Sequence, residues 1–396
     1  MKKLILIIIF ALFVSIPEAK AVVVFEDSFD EHNDWEMDTQ LTYPNAVNCF
    51  LGNCPWTNQP PSGWTVGRIG GYMTDGGCSN PGNKLMYIDQ YAGYPTETNS
   101  CNGSSGKCLT FWAESCGSSA FDNSDGDMGF DLGSPYQELY VRFYMKFKNG
   151  WLWGQGGQGG GDYPQMKLGH YQYWDGVSNP WVYFNGDINW PATVPGLQGY
   201  DPTDGHRWTL AVRPYCHDNH NSNCRYTGTP GQTWLGEQAD ASGFIQTDTS
   251  GDFYARGNFT ASNAGIMDGA WHQVTLRIKT NTWNGSSWNA DGVYQFWLDD
   301  VLQVSRSNVM WFGTTAGGTA ENPPVRGFRL ISFGGNTNNY FATSGTNAGG
   351  NREQWYSLDD IIVSTTAIPG DYVIGGGTPP PADTTAPSAP TGVAVQ

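Results

Sequence analysis

Leu139-Tyr140-Val141-Arg142-Phe143-Tyr144-Met145-Lys146-Phe147 alternates without a break: odd positions are apolar, and even ones read Tyr, Arg, Tyr, Lys. A period of two sends successive side chains to opposite faces of an extended chain, so this stretch reads as a strand with one face in a core. The pattern returns along the chain. Met166 and Leu168 stand against Gln165 and Lys167, and Val182 and Phe184 against Trp181, Tyr183 and Asn185. Val274, Leu276 and Ile278 oppose Gln273, Thr275, Arg277 and Lys279, while Tyr294, Phe296 and Leu298 oppose Gln295, Trp297 and Asp299. Residues 22–29, 328–333 and 358–364 read as further strands, and no long amphipathic helix is evident. Many short strands between Gly and Asn turns predict an all-β sandwich of two antiparallel sheets.

The flanks read differently. Residues 45–133 hold six of the eight cysteines among Gly, Asn, Ser and Pro, and are expected to be disulfide-stapled loops over the core. Cys49, Cys54, Cys78, Cys101, Cys108, Cys116, Cys216 and Cys224 form an even set, which predicts four disulfides of unspecified pairing. Cys216 and Cys224 bond each other if the first six pair among themselves; with His217 and His220 they could instead hold zinc. At the N-terminus, Lys2 and Lys3 precede an apolar run and Ala19-Lys20-Ala21, so residues 1–21 read as a signal peptide. The run is shorter than the roughly 20 residues a membrane span needs. Residues 22–373 are expected to form the sandwich domain. Residues 374–396 are a Pro/Gly/Thr linker whose segment 383–393 resembles the lead-in to a fibronectin type III module.

The 396 residues carry 14% aromatic and 14% charged side chains, with 52 Gly and 17 Trp, and the formal net charge is −17. Few charges and many aromatics suit twisted sheets with rings to spare for a binding surface. Loss of the leader takes the charge to −19, because Lys2, Lys3, Lys20 and Glu18 leave with it. That field opposes nucleic acid and anionic lipid, and an anionic polysaccharide could bind only through a local basic groove. The protein is expected to be secreted, with no membrane insertion.

Three segments carry a family resemblance: Trp271-His272-Gln273-Val274 through Trp297-Leu298-Asp299-Asp300, then Ser332-Phe333-Gly334-Gly335-Asn336, then Trp355-Tyr356-Ser357-Leu358-Asp359-Asp360-Ile361-Ile362-Val363. In that order and spacing they resemble concanavalin A-like jelly rolls, and most closely the alginate- and glucuronan-cleaving polysaccharide lyases. The resemblance covers residues 140–365. It implies a catalytic lysine in a Gly-Gly-Lys-Leu-Pro-Gly stretch, to which Gln165-Met166-Lys167-Leu168-Gly169 compares. Lys167 and Leu168 match, whereas the glycines and the proline do not. It also implies a tyrosine on a following groove strand, for which Tyr183 is the counterpart.

A lyase must neutralise a uronate carboxylate, remove the proton at C5 and protonate the leaving oxygen. Lys167 and Tyr183 are the expected base and acid, with His170 a second acid/base or else a structural histidine. Arg142, Tyr144 and Gln165 are expected to hold the carboxylate, with Trp181 and Asn185 on the sugar; the bland reading of these polar positions is a solvent-facing strand surface. Trp151, Trp153 and Trp174 could add stacking. Hydrolysis by paired carboxylates is disfavoured, because no Glu-x-Asp-x-x-Glu arrangement occurs and Asp299-Asp300 and Asp359-Asp360 are adjacent pairs, expected on opposite sides of a strand. A structural Ca²⁺ is expected near Asp27, Asp359 and Asp360 if the first and last strands pair. Residues 122–131 read as an acidic loop whose Gly126 is one place too early for an EF-hand. The competing function is a non-catalytic carbohydrate-binding or cell-surface adhesion domain on the same scaffold.

Overall fold

The computed structural model describes residues 22–36, 47–50, 59–69, 86–93, 100–104, 106–115, 121–122, 125–151, 165–172, 192–199, 208–214, 245–247, 253–255, 268–284, 289, 291–309, 327–340 and 352–375. Among them are twenty strands and a single 3-10 turn at Asn102–Ser104. In chain order the strands are β1 (Val23–Asp27), β2 (Trp35–Glu36), β3 (Val47–Phe50), β4 (Val66–Ile69), β5 (Met86–Asp89), β6 (Cys108–Ser115), β7 (Phe121–Asp122), β8 (Asp125–Tyr136), β9 (Glu138–Phe147) and β10 (Gln165–Lys167). They continue with β11 (Gly169–Gln172), β12 (Ala192–Gly199), β13 (Trp208–Pro214), β14 (Ile245–Thr247), β15 (Phe253–Ala255), β16 (Trp271–Lys279), β17 (Gly292–Leu298), β18 (Val301–Val309), β19 (Phe328–Tyr340) and β20 (Arg352–Ser364).

Every described pairing is antiparallel, and the strands form two sheets, with β14 and β15 as a separate hairpin. Sheet A runs β18, β17, β16, β9, β20; beyond β20 lie β1 against its C-terminal half and β6, β5 and β2 against its N-terminal half. Sheet B runs β3, β4, β8, β19, then β10 and β11, then β12 and β13. The last residues of β19 leave sheet B and pair with β7 in sheet A. The first and last strands pair as expected, with Phe25 opposite Val363 and Asp27 opposite Ile361.

Alternation in β9 works as the sequence implied. Leu139, Val141, Phe143, Met145 and Phe147 are fully buried, and Phe143 meets Phe333 of sheet B edge-on at 5.2 Å between ring centroids. Burying an aromatic ring of this size contributes on the order of 2–3 kcal/mol, so this inter-sheet aromatic layer is a main source of cohesion. Trp151, expected as a stacking surface, belongs to that core, 5% exposed and edge-on to Phe147.

Two sequence expectations need correction. Residues 45–133 are not merely loops: they supply β3 to β7 and most of β8, and residues 125–131, expected as part of an acidic loop, are strand. In β8 the apolar core residues Met128 and Phe130 alternate with Asp127, Gly129 and Asp131, and the glycines disguise the pattern. Of the expected disulfides, Cys101–Cys108 is present, packed with Trp355 in a small second core. Cys216, Cys224, His217 and His220 lie outside the described residues.

Candidate functional site

Strands β8, β19 and β11 lie side by side in sheet B, and their register brings three polar residues together. Ile331 and Phe333 pair with Phe130 and Met128 on one side and with Tyr171 and Gly169 on the other, so those positions face the core. The alternate row is Gly129, Ser332 and His170, on the face turned away from those rings. A Cβ on Gly129 would stand 2.5 Å from Ser332 Cβ, so a glycine is what lets β8 close on β19 here. Asp127, two residues from Gly129, places Oδ2 2.6 Å from His170 Nδ1, and Ser332 Oγ lies 3.4 Å from the same nitrogen. None of the three is more than 1% exposed.

An ionised Asp127 requires the proton on Nδ1, which fixes the ring's tautomer if His170 is neutral. A relay from a nucleophilic serine through histidine to aspartate uses both ring nitrogens. Ser332 and Asp127 meet the same one, so nucleophilic catalysis does not fit this arrangement. Burial of two opposite charges costs several kcal/mol per ion before their attraction is counted. Asp127 is deep enough for its charge to add to burial in raising the Tyr356 hydroxyl of sheet A well above its usual range, burial being the larger cause.

Backbone register also sets three basic residues at positions of the same parity in sheet B. Arg68 in β4 is directly opposite Asp127. Lys167 precedes the core residue Leu168, and its row continues through Gly196 to Ala211, two positions from Arg213 in β13. Gln165 pairs with Gln198 and Asn338. Arg329 is committed to Asp131 through two contacts of 2.6 and 2.7 Å. The sequence reading missed Arg68 and Arg213; only strand pairing reveals their shared face with Lys167.

Other expected site residues lie elsewhere. Arg142 and Tyr144 are in β9, which pairs with β16 and β20 in sheet A, so they do not share a face with Lys167. Arg142 is 4% exposed and donates from Nη1 to Pro369 O at 2.7 Å and from Nη2 to Tyr372 O at 2.6 Å. Burial lowers the guanidinium's pKa, against the opposing pull of Tyr144, Asp300 and Asp360. Tyr144 donates to Gln273 Oε1 at 3.1 Å. His170, expected as a second acid/base or else a structural histidine, is buried and lies against Asp127. Tyr183, Trp181, Asn185, Trp153 and Trp174 lie outside the described residues.

The expected calcium ligands are committed to protein donors. Asp27 receives the Phe29 amide on Oδ1 and Trp64 Nε1 on Oδ2, with His32 Nε2 2.7 Å from the same Oδ2. Asp359 accepts the amides of Asn102 and Asp360, and Asp360 accepts Asn102 Nδ2. A bulge between Asp359 and Ile362, with Asp360 at φ 48°, turns both carboxylates onto Asn102 rather than to opposite sides of the strand. Asp299 and Asp300, both left-handed, form the tight turn between β17 and β18. Among the described residues, the grouping Cys101, Cys108 and Asp359 contains a disulfide and offers no thiolate to a metal.

No family model and no curated protein matches the chain. Solved structures similar to it include an alginate lyase, at TM-score 0.39 and 16% identity over 82% of this chain and 99% of that one. The marine alginate lyase from Aplysia kurodai gives TM-score 0.39 and 13% identity over 67% and 86%. The endo-β-1,4-glucuronan lyase from the fungus Trichoderma reesei gives 0.37 and 15% over 70% and 87%. These are the kinds of protein that the sequence resembles.

Proposed function

We propose that this is a secreted protein that cleaves an acidic, uronate-containing polysaccharide by β-elimination. The observation that carries the reading is the alignment of Arg68, Lys167 and Arg213 on one face of sheet B, in a chain of net charge −17. Cations gathered on one sheet face of an acidic protein suit a polyanion that the overall field would otherwise repel. The apolar leader and the Cys101–Cys108 disulfide support export to an oxidising compartment.

The chemistry then runs as follows. An arginine on this face neutralises the uronate carboxylate, which acidifies the proton at C5. A base removes that proton, the C5–H electron pair becomes the C4=C5 double bond, the C4–O4 bond breaks, and O4 takes a proton from an acid. Lys167 and Tyr183 are the reagents that the sequence resemblance assigns. Arg68 and Arg213 replace Arg142 as the carboxylate partners, because Arg142 is in the other sheet and bound to backbone carbonyls.

The test is incubation with uronate polymers while following ultraviolet absorbance of the new double bond. Product should form, and Lys167→Ala should lower the rate about 10²–10⁴-fold. One observation favours a second reading, a non-catalytic carbohydrate-binding domain: His170 is sealed against Asp127 and does not add an accessible acid/base. Binding of uronate polymers without unsaturated product would establish that reading instead.

A further inference from the structure

We infer that His272 is a pH-sensitive latch on the β17–β18 turn: protonated, it fastens the turn to the start of β16, and neutral, it lets the turn open. The latch lies in sheet A and is independent of the basic positions in sheet B.

One carboxylate is its centre. β16 and β17 pair from Lys279 and Val293 as far as Val274 and Leu298, so Gln273 and Asp299 are the next to meet. The Asp299 amide donates to Gln273 O at 2.8 Å, but the chain turns away there, with Asp299 at φ 48° and Asp300 at φ 61°. The Asp299 side chain completes the pair instead. Its Oδ1 accepts the Gln273 amide at 2.9 Å, and its Oδ2 stands 2.7 Å from His272 Nδ1. Gln273 Nε2 adds a bond of 2.7 Å to Asp300 Oδ1. Across the ring, His272 Nε2 is 3.1 Å from Asp268 Oδ1, which also accepts the Ala270 amide. A neutral imidazole has one N–H and turns a lone pair on one of the two acids, whereas the imidazolium donates to both.

Three features make this a switch rather than a fixed brace. The ring is 12% exposed, but Asp268 and Asp299 are 40% and 50% exposed, so its proton exchanges with solvent while the core stays folded. Two successive left-handed residues that carry a Cβ hold backbone strain, which favours opening once the tie is gone. Val301 and Leu302 follow the turn at 60% and 48% exposure, so little apolar surface leaves the core when the turn moves.

The charged and titratable groups around His272 come from three places. Asp268 lies in the bend before β16, and Asp299 and Asp300 form the turn. Tyr144 and Lys146 are on β9, either side of the Met145 that pairs with His272. Burial lowers the ring's pKa, but Asp299 and Asp268 outweigh it and the net shift is upward. Burial raises the Asp268 carboxyl, but the Ala270 amide and His272 carry it below its ordinary value, so it stays ionised through the neutral range. The latched turn therefore holds the His272 proton more tightly than the open one. Latching is complete below the open-state titration, is lost as pH rises through the latched-state one, and is level above it.

Nuclear magnetic resonance of the whole chain from about pH 5.5 to 9, read at the His272 ring and the Gln273 and Asp299 amides, tests the latch. The ring should titrate above the ordinary value of about 6.5. Hydrogen-exchange protection of the two amides, corrected for intrinsic rates, should fall by up to about tenfold per pH unit across that shift and then level off. The Leu276 amide, farther along β16, should keep its protection throughout. His272→Gln should make the protection of Gln273 and Asp299 independent of pH. Asp268→Asn should bring the ring's titration down and narrow the range over which protection falls, a graded change that a purely structural histidine would not give. A ring that titrates at or below about 6.5, or a pH-dependent protection that persists in His272→Gln, overturns the inference. The ring titration is read on the unaltered chain, so it decides the matter even where a variant fails to fold.

Discussion

Arg142 and Tyr372 are joined through a 2.6 Å hydrogen bond from Nη2 to the backbone carbonyl, which straps the segment after β20 across the outer face of sheet A. A second bond from Nη1 reaches Pro369 O, and Tyr372 Oη donates to Glu26 next to β1's end. The arginine that the sequence offered as a substrate ligand is thus a fastening. Arg142→Ala should destabilise the fold by about 3–6 kcal/mol, since two hydrogen bonds to a charged group contribute about 1.5–3 kcal/mol each. It should leave oligouronide affinity unchanged. Chemical denaturation and a binding titration on the same variant check both halves.

Asp359 has its pKa raised to about 9 from the ordinary 3.8, through burial first and the neighbouring Asp360 second. Between those values the folded protein holds a proton that the unfolded chain has lost. Stability from this group is therefore lost as pH rises toward 9. Asp359→Asn should flatten that decline, so the gap in melting temperature between pH 5 and pH 8.5 should be smaller in the variant. An equal or larger gap would show that the carboxyl ionises freely in the fold.

His272 sits between two carboxylates, with Nδ1 2.7 Å from Asp299 and Nε2 3.1 Å from Asp268. Burial pulls its pKa down, but the bonds to Asp299 and Asp268 outweigh it and the net shift is upward. Only the imidazolium can donate to both acids. The contribution is complete below the unfolded pKa and disappears as pH rises through the folded one. Asp268→Asn should lower the melting temperature at pH 6 and leave it unchanged at pH 9, as differential scanning calorimetry would show.

Reduction of Cys101–Cys108 should cost about 2–3 kcal/mol, the loop-closure value for so short a ring. It should also release Asn102, whose amide and side chain bind Asp359 and Asp360. The readout is hydrogen exchange: amides 102 and 360 should lose protection together in the Cys101→Ser, Cys108→Ser double variant, while the β9 amides keep theirs.

The sandwich was legible where alternation is carried by large side chains, as in β9, β16 and β17; the pairing of β1 with β20 came from the family resemblance and not from alternation. It was illegible in β8, where Gly126, Gly129 and Gly133 dilute the apolar period. Periodicity assigns a residue to a face of its strand but not to a sheet. That is why Arg142 and Tyr144 were grouped with Lys167 when pairing separates them. The partnership of His170 with Asp127 depends on β19 lying between their strands, a long-range relation that no local pattern contains. Arg68 was hidden in a region expected to be loops.

β20 lies inside sheet A, bonded along one side to β9 and along the other to β6 and β1. Among the described residues β1 has no other partner, so the first strand of the domain waits for the last. A nascent chain still on the ribosome, with residues 352–364 unsynthesised or inside the exit tunnel, has an open seam down sheet A and two unprotected strand edges. Such edges recruit other chains. Closure of the seam is a late, long-range event, slow in the way that sheets with distant pairings are slow. Until it happens, the inner edges of β9 and β6 stay open to other strands.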